Sequence, residues 1–161
     1  MKKYMINPFS LFFIGGVLGV MSKLLDIYTT NLGHIFSQMA IWILLGVLIS
    51  IYSDTKKKAM LNIFPFCIGM LITYYLTAEI KNAVYGWDFI IGWTIFALFS
   101  PIFAYFTWLT KEKGIFPRII SVGIVLTSIL SSALFFGDFR IYDFIINGLL
   151  IYFLFMRKVR R

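Results

Sequence analysis

The chain contains few residues that react or cross-link. Its 161 residues include one cysteine, Cys67, and one histidine, His34, so a disulfide within the chain and a cysteine-rich metal motif are both excluded. The sequence also lacks a Gly-x-x-x-x-Gly-Lys-Ser/Thr phosphate loop, a His-Glu-x-x-His zinc pair and a Gly-x-Ser-x-Gly nucleophile elbow. We therefore expect no cofactor and no metal, and a non-enzymatic role is favoured over a catalytic one.

Charge is scarce as well. Charged residues make up 14% of the chain and hydrophobic residues 60%, and the mean hydropathy is +0.88. This composition excludes a water-soluble fold of the ordinary kind. The sequence shows no internal repeat and no linker rich in Pro, Gly or Ser, so we predict one membrane domain over residues 1–161.

Long apolar runs take the place of charged segments. Each run is 16 to 21 residues long, which at about 1.5 Å per residue is close to the ~30 Å thickness of the hydrocarbon core. The runs are solid rather than alternating, which favours helices over a membrane β-barrel. The sequence predicts an all-α bundle of six transmembrane helices over Phe9–Leu25, Ile35–Tyr52, Ala59–Ala78, Phe89–Leu109, Ile119–Phe136 and Ile141–Met156.

The basic residues predict the orientation of these helices. The net charge of +8 would suggest nucleic acid as a partner of a soluble protein. With six spans, however, 12 of the 15 Lys and Arg residues fall on one side of the membrane, which is typical of the cytoplasmic side. We therefore predict cytoplasmic termini, no nucleic-acid partner, and a multi-pass protein of a bacterial cytoplasmic membrane that contacts the lipid bilayer.

Polar and aromatic side chains gather in the outer halves of the predicted helices. Three of them, His34, Gln38 and Trp42, are spaced at i, i+4 and i+8, so they share one helix face. One interpretation is a belt at the lipid headgroups, where Tyr and Trp are common. The other is an outward-facing pocket for a small-molecule ligand, with aromatic walls and a few polar groups. The predicted ligand-binding residues are His34, Gln38, Trp42, Tyr74, Tyr75 and Asn147.

The single histidine and the outer acidic residues each have a structural interpretation as well as a functional one. A lone histidine at a helix start is more often a cap than a base or metal ligand. Acidic residues near an aqueous surface are more often solvated or paired with lysine or arginine than gathered into a cation site. The acids in question are Asp26, Glu79, Asp88, Asp138 and Asp143, and the basic residues on their side are Lys23, Lys81 and Arg140.

Two glycines in the first predicted span form a helix-docking motif. The spacing Gly15-x-x-x-Gly19 leaves a shallow groove that lets another helix approach closely. Packing within the same chain is the simpler interpretation. The alternative is a docking face for a membrane partner protein.

Gly15 and Gly19, the outer loop Asp26–His34 and the outer polar residues together resemble the substrate-binding S components of energy-coupling-factor vitamin transporters. Those proteins are six-span bundles with both ends in the cytoplasm. Their ligand pocket opens outward beneath the first outer loop, and a small-x-x-x-small face on the first span docks the coupling subunit. The resemblance implies the same layout here. Separately, the stretch Lys23–Gly33 and the pair Tyr74-Tyr75 resemble small bacterial membrane proteins of unknown function, which implies no activity.

Three functions remain open at this point. The first is a transport component in which Trp42, Tyr74 and Tyr75 form apolar walls, Gln38 and Asn147 orient a solute, and the loop over it closes the pocket. The second is an accessory or structural membrane protein that binds partner helices without a ligand. The third is an enzyme that acts on lipid or isoprenoid at the outer interface, with a histidine or an acid for proton transfer.

Overall fold

The computed structural model describes residues 7–29, 33, 35–36, 38–136 and 140–157. These residues form helices and connecting turns and contain no strand, as the predicted all-α class requires. In chain order the helices are α1 (Pro8–Tyr28), α2 (Met39–Tyr52), α3 (Lys56–Ile80), α4 (Trp87–Leu109), α5 (Ile115–Phe136) and α6 (Ile141–Ile151). The chain continues from α6 into a π-helix over Tyr152–Met156.

Four of these helices are long and apolar enough to cross a membrane. They are α1, α3, α4 and α5, whereas α2 and α6 are shorter apolar helices. α2 has 14 residues because it begins at Met39, after Gln38 adopts an extended conformation, and not at Ile35 as predicted. Crossing of the membrane by α2 and α6 therefore stays a prediction.

Side-chain caps explain where two of the long helices begin. The Asn7 side chain accepts a hydrogen bond from the Phe9 backbone N–H at 3.2 Å, and Pro8 occupies the first helical position of α1. At the start of α3, the Thr55 hydroxyl oxygen accepts from the Lys58 backbone N–H at 3.1 Å. Both caps satisfy backbone donors that a helix start leaves without partners.

Contacts between helices show that consecutive helices alternate in direction. α1 and α3 run parallel, since Gly15 lies against Phe66 and Gly19 lies against Met70. The helix between them, α2, runs the opposite way, because Ser53 at its end accepts a hydrogen bond from Asn62 near the start of α3, at 2.9 Å. The bundle thus has two ends. The end at which α3 and α5 begin is called the lysine-rich end. It carries Lys56, Lys57, Lys58, Lys111 and Lys113.

The buried apolar residues form two clusters that meet at α2. One cluster joins α1, α3 and α4 and includes Phe66 and Trp108, while the other joins α2, α5 and α6 and includes Leu44 and Leu150. α2 contributes Trp42 to the first cluster and Leu44 to the second. α2 therefore lies at the centre of the bundle, between the two clusters.

Large apolar side chains cover the outside of the bundle. Phe13, Ile91, Leu98, Leu126 and Phe144 are each at least half exposed. Soluble proteins rarely expose a continuous apolar surface of this kind, and a bilayer solvates it. The outer surface therefore indicates contact with lipid.

Candidate functional site

An aromatic cavity of about 320 Å³ lies at the end opposite the lysine-rich end. It is formed where α1 and α3 end and where α2 and α4 begin. The aromatic residues that line it are Phe36, Trp42, Tyr74, Tyr75, Tyr85, Phe89 and Trp93. Pockets for small molecules combine such apolar walls with a few polar groups.

One wall of the aromatic cavity is fixed by the first turn of α2. The Trp42 indole N–H donates to the Phe36 carbonyl oxygen at 2.8 Å, and the two rings pack with centroids 6.1 Å apart. Trp42 is 5% exposed, so its single polar atom is satisfied and the ring presents an apolar surface. This wall therefore depends on Phe36, which precedes α2, and on Trp42 in the first turn of α2.

Three tyrosines form the opposite wall. The rings of Tyr74 and Tyr75 meet edge to face with centroids 5.3 Å apart, and Tyr75 meets Tyr85 in the same way at 5.8 Å. The Tyr85 hydroxyl donates to Glu79 Oε2 at 2.6 Å. This hydrogen bond and the carboxylate charge raise the pKa of Tyr85 above its ordinary value, so the phenol stays neutral.

A polar corner interrupts the aromatic walls and is formed by Ser22, Lys23 and Asp26 of α1. Lys23 is 4% exposed; its ammonium lies 2.8 Å from Asp26 Oδ2 and 5.1 Å from the centroid of the Tyr74 ring. The Ser22 hydroxyl is buried and has no hydrogen-bond partner among the described residues. Ser22 is 1% exposed, so its hydroxyl lies behind the cavity surface, and Asp26 is the most exposed polar group of the corner.

The structure separates the six predicted ligand-binding residues. Trp42, Tyr74 and Tyr75 line the aromatic cavity together. Gln38 and Asn147 do not line it, and His34 lies outside the described residues.

Gln38 and Asn147 lie instead where α2 meets α6. The Gln38 amide donates to the Tyr142 hydroxyl at 3.3 Å, and the Asn147 amide donates to the Asp143 carbonyl oxygen at 2.8 Å. The side-chain oxygens of Gln38 and Asn147 are buried without a hydrogen-bond partner in the described part of the chain. Gln38 therefore joins α2 to α6, Asn147 bonds within α6, and neither side chain lines the cavity.

Asp143 joins α5 to the start of α6. It is fully buried and accepts hydrogen bonds from the Arg140 backbone N–H at 3.0 Å and from the Ser132 hydroxyl at 3.3 Å. A carboxylate suits this position because helix starts present unpaired N–H groups and partial positive charge. These hydrogen bonds explain the buried Asp143 as a residue that stabilises the start of α6 and its contact with α5.

Gly15 and Gly19 lie in the contact between α1 and α3. A Cβ atom on Gly15 would overlap the Phe66 backbone, and one on Gly19 would overlap Met70 and Thr73. The Thr73 hydroxyl also donates to the Gly16 carbonyl oxygen at 2.7 Å. α3 therefore covers the face that the sequence analysis also considered for a partner protein.

The polar corner was not among the predicted site residues, although the sequence contains a signal for it. Lys23 and Asp26 are charged residues one turn apart near the end of an otherwise apolar helix, and intramembrane charges are frequently functional. The described residues contain no group of three or more His, Cys, Asp or Glu side chains that could hold a metal ion. The described lining of the cavity provides hydrogen-bonding groups, one ion pair and aromatic surfaces.

Comparison with known proteins gives one match. A model of a family of unknown function (DUF6518) matches residues 3–160. No curated protein and no solved structure matches the chain, so the resemblance to S components gains no support from these comparisons. Because the family match covers nearly all of the sequence, the chain belongs to the DUF6518 family.

Proposed function

We propose that the chain is one membrane domain of six spans that binds a small ligand in the aromatic cavity, as the solute-binding component of a transport system. In this proposal the lysine-rich end and both termini face the cytoplasm, in keeping with the excess of Lys and Arg there. The aromatic cavity then opens on the outer side of the cytoplasmic membrane. Release of the ligand to the inside requires a partner protein or a rocking motion of the bundle.

The polar corner is the observation that supports this proposal most strongly. A lysine inside an apolar helix is costly, which makes it a candidate functional residue. Here Lys23 lines a cavity together with Ser22 and Asp26, and its ammonium is paired with Asp26 at 2.8 Å. Purely structural packing would be better served by apolar residues at both positions.

Burial separates the cavity residues from a headgroup belt. Trp87 and Tyr28 are 73% and 68% exposed, as expected for side chains that lie among lipid headgroups. Trp42 and Lys23 are about one-twentieth exposed and face inward. The belt interpretation therefore suits the first pair, and a ligand pocket suits the second.

The composition of the cavity narrows the class of ligand. Aromatic rings provide a large contact area, and the charges of Lys23 and Asp26 cancel at 2.8 Å, so an ion of either sign gains little there. A neutral group that both donates and accepts hydrogen bonds fits the corner. The expected ligand is therefore mainly apolar with a hydroxyl or amide group.

Native mass spectrometry of the gently solubilised protein tests this proposal. We expect wild-type protein to retain a small molecule and the Lys23→Met variant to lose it, because methionine keeps the length of the side chain but removes its donors. Lys81→Met is the matched control, since Lys81 is exposed at the same end of the bundle and does not line the cavity. Wild-type protein that carries no small molecule, or equal retention by all three proteins, would refute the proposal.

A further inference from the structure

A second cavity, the apolar cavity, adjoins the first in the middle of the bundle. It has a volume of about 390 Å³ and lies among α2, α3, α4 and α5. Trp42 and Met70 line both cavities, so the two spaces are separated by the thickness of these side chains. Any ligand of the aromatic cavity thus has a second space directly beside it.

The apolar cavity offers nothing that would hold water. No charged side chain is among the described residues that line it. Three of its hydroxyl groups already donate to carbonyl oxygens of their own helices: Ser50 to Gly46, Ser100 to Ala97 and Thr127 to Gly123, at 2.7, 2.7 and 2.8 Å. Apolar cavities of this kind stay dry and accept hydrocarbon. The aromatic cavity differs because its polar corner contains the Ser22 hydroxyl and the ion pair of Lys23 and Asp26.

The apolar cavity reaches the surface between α4 and α5. Phe106 of α4 and Gly123 and Thr127 of α5 line it and are also exposed. A Cβ atom on Gly123 would meet no other atom of the described chain within 4 Å, so the wall is open at this point. Both helices are candidate membrane spans, and the opening therefore faces the region that acyl chains occupy in a bilayer.

We propose that the ligand is a neutral amphiphile with one hydrocarbon chain, whose polar group lies at Ser22, Lys23 and Asp26 and whose chain occupies the apolar cavity. The chain enters from the bilayer through the opening at Gly123, and the flexible side chain of Met70 moves aside to join the two cavities. This inference rests on the proposed function, because it takes the aromatic cavity as the site of the polar group.

The two cavities follow one another along α4 in the same order as the headgroup and the acyl chain of a lipid in the outer leaflet. Along α4, the lining runs from Trp93 in the aromatic cavity to Phe106 in the apolar cavity, which is about 20 Å at the rise of an α-helix. The polar corner lies within the last two turns of α1, on the side nearer the headgroups, and the apolar cavity lies toward the bilayer centre. An amphiphile from the outer leaflet can therefore bind without turning over.

Photo-crosslinking tests this inference with a monoacylglycerol that carries a diazirine in its acyl chain. This probe has a neutral head with hydroxyl groups and a single chain. In wild-type protein we expect crosslinks to concentrate in the segments of α4 and α5 that line the apolar cavity. We expect Gly123→Phe to reduce them at least about tenfold, which is the loss when two or more methylene groups stay outside the cavity.

Gly148→Phe is the matched control for this experiment. Gly148 also lies in an apolar helix, is exposed and has no neighbouring atom within 4 Å of a Cβ position, but it does not line either cavity. We expect its crosslinking to equal that of the wild type. Gly123→Ala adds only one methyl group and keeps most of the signal, which separates occlusion of the cavity from a folding defect.

The outcomes distinguish this inference from the proposed function. If Gly123→Phe crosslinks as strongly as Gly148→Phe, the chain does not occupy the apolar cavity and the inference is wrong. If a co-purified small molecule then still depends on Lys23 in native mass spectrometry, the proposed function stands with a ligand confined to the aromatic cavity. If neither measurement responds to any variant, both proposals fail.

Discussion

Lys23 shows how one buried charge is accommodated in an apolar helix. Its ammonium is paired with Asp26 and lies over the ring of Tyr74, and both contacts offset part of the cost of desolvation. Removal of the Asp26 side chain would leave the buried ammonium of Lys23 without the carboxylate that pairs with it. Removal of Lys23 leaves a carboxylate whose side chain is 36% exposed and can be hydrated. Lys23 is therefore the milder position at which to disturb the polar corner.

Gly15 gives a prediction about stability at the residue scale. We expect Gly15→Ala to lower the free energy of unfolding by about 1–3 kcal/mol, because the added methyl group would overlap the Phe66 backbone and push α1 away from α3. Unfolding in mixed micelles of sodium dodecyl sulfate and a mild detergent, followed by tryptophan fluorescence, measures this change.

Gly148→Ala is the control for the close contact at Gly15. A Cβ atom there meets nothing within 4 Å, and alanine favours helix over glycine by about 1 kcal/mol. We expect this variant to be at least as stable as the wild type. A Gly15→Ala variant as stable as Gly148→Ala would show that α1 and α3 do not approach as closely as described.

At the residue scale, three of the six residues predicted to bind a ligand line the aromatic cavity, and their binding of a ligand stays a prediction. Trp42, Tyr74 and Tyr75 were identified because aromatic residues cluster in the outer halves of the helices. Gln38 and Asn147 were grouped with them because polar residues at the same depth look equivalent in a sequence. Depth does not specify which neighbour a helix face meets, and the face of Asn147 belongs to the contact of α6 with α2 and α5. Only packing between helices separates these cases.

At the element scale, α4 contains a proline whose missing hydrogen bond is replaced locally. Pro101 has no N–H, so the Ala97 carbonyl oxygen loses the partner that a regular helix provides. The Ser100 hydroxyl donates to this carbonyl oxygen at 2.7 Å. Serine side chains commonly satisfy carbonyl groups that proline leaves free in membrane helices.

A double-mutant cycle tests this replacement. We expect Ser100→Ala to lower the free energy of unfolding by about 1 kcal/mol in the presence of Pro101. In the Pro101→Ala background the loss should be smaller, because the backbone N–H at position 101 then serves the same carbonyl oxygen. The micelle unfolding assay measures both losses, and equal losses in the two backgrounds would contradict the explanation.

The helices were predicted closely where an apolar run has clear limits. Tyr52, Leu109, Phe136 and Met156 end helical segments in the sequence prediction and in the structure alike. The start of α2 differs because Gln38 is extended and separates α2 from the helical residues Ile35 and Phe36 that precede it. Hydropathy alone does not show a break between two helical segments inside one apolar run.

At the scale of the whole molecule, alternating helix directions lead to a topology prediction. Single cysteines in a Cys67→Ala background can be labelled in intact cells with a maleimide that does not cross membranes. We expect immediate labelling at positions 28, 84 and 140, and labelling only after permeabilisation at positions 57, 113 and 157, because these two sets lie at opposite ends of the bundle. The wild-type protein, whose Cys67 is buried, is the control for background labelling.

Two pairs of positions decide whether the short helices cross the membrane. Positions 28 and 57 bracket α2, and positions 140 and 157 bracket α6 with its π-helix. If the two members of either pair label on the same side, the enclosed helix does not cross and the six-span proposal is wrong. Labelling at positions 57 and 113 in intact cells would place the aromatic cavity on the cytoplasmic side.

The short length of α6 has a consequence for the surrounding membrane. Its 11 α-helical residues and the five π-helical residues that follow rise at most about 24 Å, below the ~30 Å of a typical hydrocarbon core, whereas the 25 residues of α3 exceed that core. If α6 crosses the membrane as proposed, lipids beside its exposed Phe144 and Ile145 must shorten to match it. In that case the bundle imposes hydrophobic mismatch on one flank, and bilayers of shorter acyl chains relieve the resulting strain.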